Sequence, residues 1–284
     1  MLWENLKSDE FPEAVNKSKG VCVIPIGAME RHGPHMAVGM DSIVVEEVAR
    51  RAAEIEPVVV FPTFHFGEGS GLQYLDGSIC LSNKLVLDYL FELCREIARS
   101  GFKKILFLNG HGGNPPLLNT LCSMARELKK DYVVTWAESY MTGPLQLRDA
   151  IRADRDAFPY LTQEDIQIIE GYFDEPREAG HADFEETLAL LGVRPETVDV
   201  SLMDREDGET NHRMDHLRKR GIFGGGQWLA NHPYSYQSSY YPGANERLGK
   251  AMIQVRVADI VDIFRVIKED EELLKYNDEW NRSW

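Results

Sequence analysis

Three short stretches of this chain concentrate side chains that can hold metal ions. In Pro25-Ile-Gly-Ala-Met-Glu30-Arg-His32-Gly-Pro-His35-Met-Ala-Val-Gly-Met-Asp41, a glutamate, two histidines and an aspartate follow one another closely. Two positions apart in extended chain, Glu30 and His32 point the same way. Asp41 stands where a helix begins, so its carboxylate is either a ligand or an N-cap. Carboxylate and imidazole without thiolate suit zinc or manganese. In Asn109-Gly-His111-Gly-Gly-Asn114, a histidine sits at the tip of a glycine-rich turn after an apolar run. Such a turn can cradle a phosphate. Neither a Gly-Lys-Ser/Thr ending nor a GxGxxG spacing is present, so His111 reads better as a ligand. In Gly180-His181-Ala-Asp-Phe-Glu185-Glu186-Thr187, a histidine and several acids open a helix. His181 and Glu185 share a helical face at i,i+4, with Glu186 turned about 100° further round. Spacing alone allows either glutamate as a ligand. Acids at a helix start also suit its dipole, which accounts for Asp183 and Glu185 but not for His181.

These residues need rigid carriers. Apolar runs at Val21–Ile26, Pro57–Pro62, Lys103–Leu108 and Asp131–Trp136 read as strands. Helical spacing marks Phe11–Ser18, Ser42–Ile55, Asn83–Ser100 and Pro115–Lys129 between them. This alternation predicts an α/β fold, one domain over 1–284, with a mostly parallel sheet and right-handed crossovers. Chemistry then belongs at the carboxyl ends of the strands, where Glu30 and His111 fall. The loop Phe64–Ser78, with four glycines, is long for a connection and marks a functional segment. Residues 137–180 break the alternation, with helices expected at Arg148–Ala157 and Thr162–Phe173; they read as a lid or an oligomer contact. Residues 196–240 are irregular. Asn245–Lys268 is a long helix, and the charged tail, Glu269–Trp284, is expected to fray.

Composition narrows the class. The chain has 284 residues, 43% hydrophobic and 27% charged, which is ordinary globular usage. Four cysteines lie singly in apolar or helical runs, which points to reduced core residues and a cytoplasmic protein. A net charge of −15 argues against a nucleic-acid surface. No leader or apolar span is visible, so no membrane partner is expected.

Together the three stretches resemble the creatininase (creatinine amidohydrolase) family. Weaker matching pieces are Tyr74–Ser82 and Pro242–Gly249, and the resemblance spans roughly residues 20–260. It implies a single three-layer α/β/α domain, often assembled as a hexamer, and a hydrolase with two divalent ions, zinc or manganese. On that pattern Glu30, Asp41 and His111 hold one ion. His32, Asp41 and Glu186 hold the other, Asp41 bridges, and His181 transfers the proton. Two ions about 3.5–4 Å apart can share a carboxylate and a water, drawing that water's pKa from about 15.7 towards neutrality. The hydroxide would attack the carbonyl of a small, cyclic amide, and a histidine near its ordinary pKa of about 6.5 would protonate the leaving nitrogen. His35 either supports a ligand or packs. One departure bears on substrate: creatininases proper carry Tyr and Glu where this chain has Gly112 and Gly113. Relatives with His-Gly-Gly-Asn include a formylaminopyrimidine deformylase, a peptide-trimming enzyme of mycofactocin maturation and a hydrolase that opens a diketo-inositol ring. The alternatives are therefore C–C ring opening, deformylation and, more remotely, a non-catalytic metal-containing binding protein. Trp136, Tyr140 and Trp228 are the aromatic candidates to stack on a planar substrate. The segment 137–180 and the stretch His232-Pro-Tyr-Ser-Tyr236 are the expected pocket walls.

Overall fold

The computed structural model describes residues 1–175, 180–206, 208–233 and 240–283. Four parallel strands form the sheet: β1 (Val21–Ile26), β2 (Val59–Val60), β3 (Lys104–Asn109) and β4 (Val133–Glu138), in the order β2-β1-β3-β4. The helices among the described residues are α1 (Phe11–Lys17), α2 (Met40–Ile55), α3 (Asn83–Arg99), α4 (Pro115–Glu127), α5 (Pro144–Ala153), α6 (Gln163–Gly171), α7 (Phe184–Val193), α8 (Asp215–Arg218), α9 (Gln227–Asn231), α10 (Glu246–Glu269) and α11 (Glu272–Arg282). β1 and the middle of β3, Ile105 to Leu108, are apolar because both faces of the sheet are covered. Val21, Val23, Leu106 and Leu108 pack with α2, α7 and α10. Cys22, Ile24, Ile26, Ile105 and Phe107 pack on the other side with α3 and α4. The result is the expected three-layer α/β/α arrangement.

The chain leaves β1 towards β2 on one side and reaches β3 on the other. The gap between the ends of β1 and β3 is thus the topological switch point of the sheet, the crevice where such folds bind ligands. Close packing there depends on glycine. A Cβ on Gly27, just after β1, would lie 2.5 Å from Ser42 N in α2, and one on Gly110, just after β3, 2.8 Å from the Asp41 carbonyl. The start of α2 is therefore pressed against both strand ends.

Several expected boundaries move, each for a local reason. β2 is only two residues long, because Pro57 and Pro62 bracket the run and donate no ladder hydrogen bond. α2 begins at Met40, with Gly39 at its N-cap; Asp41 lies inside the first turn and its side chain caps nothing. α7 begins at Phe184, not at His181. Asp183 is the N-cap, accepting from Glu186 N–H at 3.0 Å, and Ala182 takes a left-handed φ of 49°. His181 therefore lies outside the helix, and the expected i,i+4 face with Glu185 does not form. The tail does not fray: α11 docks with Asn277 and Asn281 donating to the Lys130 carbonyl at 2.8 and 2.9 Å. In and around α5 and α6, Leu147, Ile151, Phe158, Leu161 and Ile169 belong to the buried core beside α10.

Candidate metal centre

The loop between β1 and α2 is braced from several sides. Glu30 N–H donates to Val38 O at 3.0 Å, closing the loop on itself. Ile79 N–H donates to Met29 O at 2.9 Å and Arg31 N–H to Ser78 Oγ at 3.1 Å, so the loop before α3 supports it. The loop after β3 is held by two asparagines. Asn109 Oδ1 accepts from His111 N–H at 3.1 Å and Asn114 Nδ2 at 2.9 Å, while Asn109 Nδ2 donates to His111 O at 3.0 Å and to Tyr140 Oη at 3.3 Å.

Between these loops five side chains converge. Asp41 stands in the middle: Oδ1 is 3.2 Å from His32 Nε2 and Oδ2 is 3.1 Å from His111 Nδ1. Glu30 Oε1 is 2.9 Å from His111 Nδ1, and Glu186 Oε2 is 3.6 Å from His32 Nε2. Three groups bring one ligand atom each within 4.8 Å of one another: Glu30, Asp41 and His111; His32, Asp41 and Glu186; and Glu30, His32 and His181. Glu185, left open as a ligand on spacing, turns away and pairs with Arg256 Nη2 at 3.1 Å.

The hydrogen bonds fix how each imidazole is presented. His32 Nδ1 lies 3.0 Å from the Glu30 carbonyl, His111 Nε2 2.9 Å from the Glu68 carbonyl and His181 Nε2 2.8 Å from the Arg31 carbonyl. A carbonyl only accepts, so each of these nitrogens carries the hydrogen. Each remaining nitrogen faces carboxylate oxygens: His32 Nε2 and His111 Nδ1 as above, and His181 Nδ1 at 3.6 Å from Glu30 Oε1. A histidine that binds metal has this arrangement, with its other ring nitrogen given to a carbonyl. His32 Nε2 and Asp41 Oδ2 are buried without a hydrogen-bond partner. Burial opposes charge on His32, but Asp41 and Glu186 prevail and push its pKa up to about 10. His111 is raised for the same reason by Glu30 and Asp41, while burial raises Glu186 to about 8. These are carboxylates waiting for positive charge, and the donor set fits divalent ions whose binding would displace those protons.

The surrounding residues divide. His35 is buried and neutral, its pKa lowered to about 4 by burial and by His32. Its Nε2 lies 2.9 Å from Thr187 Oγ1, whose hydroxyl donates to Asp183 O, so His35 donates and steadies the turn that carries Glu186. The larger cavity, about 460 Å³, opens over Glu30, His111, His181 and Glu186 and is walled by α9 and the segment before it. Trp228 lines it, edge-on to His181 at 5.2 Å and stacked on His232 at 4.3 Å. Tyr140 lines a second cavity of about 230 Å³ beside Asp41 and Glu186. Trp136 lines neither; it packs with the α3/α4 layer and donates to Asn119 Oδ1 at 3.0 Å. Its position in β4 turns it to the far face. Of the stretch 232–236, His232 lines the larger cavity, and residues 234–236 lie outside the described residues. Glu68, on the glycine-rich loop, also lines that cavity. Its loop's length and composition were the available signal.

The family model described as creatinine amidohydrolase matches residues 4–264. A creatinine amidohydrolase of Pseudomonas putida is 28% identical over 110 residues, 37% of this chain and 42% of that protein. A mycofactocin precursor peptide peptidase of Mycobacterium tuberculosis is 29% identical over 119 residues, 38% of this chain and 47% of its own length. A 3-dehydro-scyllo-inosose hydrolase of Thermotoga maritima is 29% identical over 104 residues, 34% of this chain and 31% of its own length. The chain thus aligns with less than half of each of these relatives. A solved creatinine amidohydrolase shares the fold at a TM-score of 0.70 and 21% identity, covering 95% of this chain and 98% of that one. A structure titled as manganese creatininase does so at 0.70 and 22%, covering 95% and 99%. The match along nearly the whole sequence shows that this chain belongs to the creatininase family.

Proposed function

We propose that the chain is a hydrolase with a two-metal centre, zinc or manganese, that opens a small, cyclic amide. The observation that carries this reading is Asp41, whose two oxygens face two separate histidines, each presenting its free nitrogen. Glu30, Asp41 and His111 would hold one ion, and His32, Asp41 and Glu186 the other. A divalent pair supplies, at such a site, acidification of water towards neutral pH and polarisation of a carbonyl. The chain supplies the rest. His111 and His32 are oriented by the Glu68 and Glu30 carbonyls. His181 is fixed by the Arg31 carbonyl and lies beside His32, with ring centroids 4.4 Å apart and the planes tilted by 36°. Burial lowers its pKa to about 4, below the ordinary value of about 6.5 expected of a proton donor, so it rests neutral at neutral pH and would carry a proton to a leaving nitrogen only transiently. Trp228 offers a flat wall to a planar ring. By the same reading residues 1–284 act as one domain, in the cytoplasm, as a homo-oligomer.

The test is metal content per chain together with turnover on a panel of cyclic amides, with and without chelator. About two ions per chain and chelator-sensitive appearance of a new amino group together with a new carboxylate on the ring-opened product support the proposal; a metal-free chain overturns it. The inosose-hydrolase relative favours a second reading, ring opening of an oxidised cyclitol. A new carboxylate with no new amino group would select that reading.

A further inference from the structure

The larger cavity carries a carboxylate that the metal centre does not use. Glu68 is tied by its backbone to the loop after β3 at both ends. Its N–H donates to Asn114 Oδ1 at 2.8 Å, and its carbonyl accepts from His111 Nε2 at 2.9 Å. The bonds that orient His111 therefore also set the position of Glu68. The side chain is half-buried and lines the cavity with Glu30, His111, His181 and Glu186. Its Oε1 is occupied, accepting from Ser70 N–H at 3.0 Å and Asn83 Nδ2 at 3.5 Å. Its Oε2 has no hydrogen-bond or ion-pair partner among the described residues. Oε2 lies 3.2 Å from the point that a Cβ on Gly113 would occupy. At Gly112 a Cβ would meet nothing within 4 Å. The two glycines thus leave open the space that Glu68 reaches from another loop.

Oε2 opens into the cavity, where water or a ligand N–H can donate to it. Glu68 belongs to none of the groups whose ligand atoms gather around Asp41, so bound ions would not neutralise it. It places a carboxylate on the cavity wall beside the residues that would hold the ions. We propose that Glu68 is a specificity-determining residue that selects substrates bearing a protonated nitrogen, with Oε2 accepting a charge-assisted hydrogen bond from it. This inference rests on the metal-centre reading of the cavity.

The experiment uses the zinc-loaded full chain and two pairs of probes. 4-Aminobutyrate is compared with pentanoate, and 6-aminohexanoate with heptanoate. Each pair shares a carboxylate for the metals and differs by an ammonium in place of a methyl. Competition calorimetry on the wild type should show at least one ammonium probe bound roughly tenfold tighter than its partner, as expected of a charge-assisted bond. Glu68→Gln should bring that preference within about twofold, with unchanged zinc content and thermal midpoint. Glu68→Asp should restore part of it. Equal preference in the wild type and Glu68→Gln, or none in the wild type, overturns the inference while leaving the metal reading standing. Zinc loss in Glu68→Gln also overturns it, since Glu68 would then be a ligand or a brace. A wild type that takes up no zinc defeats the metal reading itself.

Discussion

The floor of the larger cavity and its outer wall are held in different ways. The floor is made from strand ends pressed on α2: Glu30, His32 and Asp41 are at most 2% exposed, and the glycines beside them are packed to contact. Its hydrogen bonds join segments far apart in sequence. The wall, residues 208–232, is stitched mainly to itself through Asn231. That residue accepts from Met214 N–H and Asn211 N–H and donates to Asp215 Oδ1, all at 2.8–2.9 Å. Phe223 lines the cavity yet is 75% exposed, and Gly224 and Gly225 have open space around them. Such a wall can change residue by residue without disturbing the floor. The cavity's floor and its outer wall are thus separately stabilised parts of the molecule, with Glu68 tied to the floor.

The sharpest way to break this division is at Asp41. Asp41→Ala should remove both metals and all chelator-sensitive turnover, well beyond the roughly 10–100-fold cost of losing an outer hydrogen-bond partner; metal analysis of the purified variant checks it. Retention of one ion would show that Asp41 is not shared. His181→Ala should keep the metals and lower turnover by about 10²–10⁴-fold, the usual worth of a proton-transfer group. Metal loss there would contradict its role.

Stability should separate the two regions as well. Gly27→Ala drives a Cβ into Ser42 backbone at 2.5 Å and should cost about 1–3 kcal/mol by denaturant titration. Gly225→Ala, with nothing within 4 Å, should stay within about 0.5 kcal/mol. A modest effect on binding is expected at Trp228→Ala, which removes the ring against His181 and His232. It should raise KM by roughly two- to tenfold, as loss of an aromatic contact of about 0.5–1.5 kcal/mol would, with metal content unchanged. A fall in metal content would show that wall and floor are coupled.

The same division governs what the sequence made legible. β1 and the middle of β3 read clearly because strands covered on both faces are apolar, and glycine loops at their ends mark the crevice. Convergence of Glu30, His32, Asp41, His111 and Glu186 followed from family resemblance more than from spacing. Local pattern left Glu185 and Glu186 open, and their contacts separate them: Glu185 pairs with Arg256, while Glu186 faces His32. His181 was misplaced on a helix because the left-handed turn at Ala182 carries no glycine to announce it. Trp136 looked like a substrate wall because nothing in one strand's sequence says which face a half-buried residue takes. Glu68 went unassigned because its partners, Asn114 and His111, lie a whole strand–helix unit away. The tail's docking depends on partners distant in sequence, among them the Lys130 carbonyl and Arg126 over the Trp280 ring.

The clasp around Asn109 has a consequence for the protein's chemical lifetime. An Asn-Gly dipeptide ages when the glycine nitrogen attacks the asparagine amide carbon, closing a succinimide and expelling ammonia. Here Gly110 N–H is committed to Ile26 O at 2.8 Å, and the amide of Asn109 is fully buried with both of its polar atoms engaged. Ring closure must therefore wait for the sheet to open. Deamidation at this dipeptide becomes a clock that reports unfolding of the domain's centre rather than time in solution.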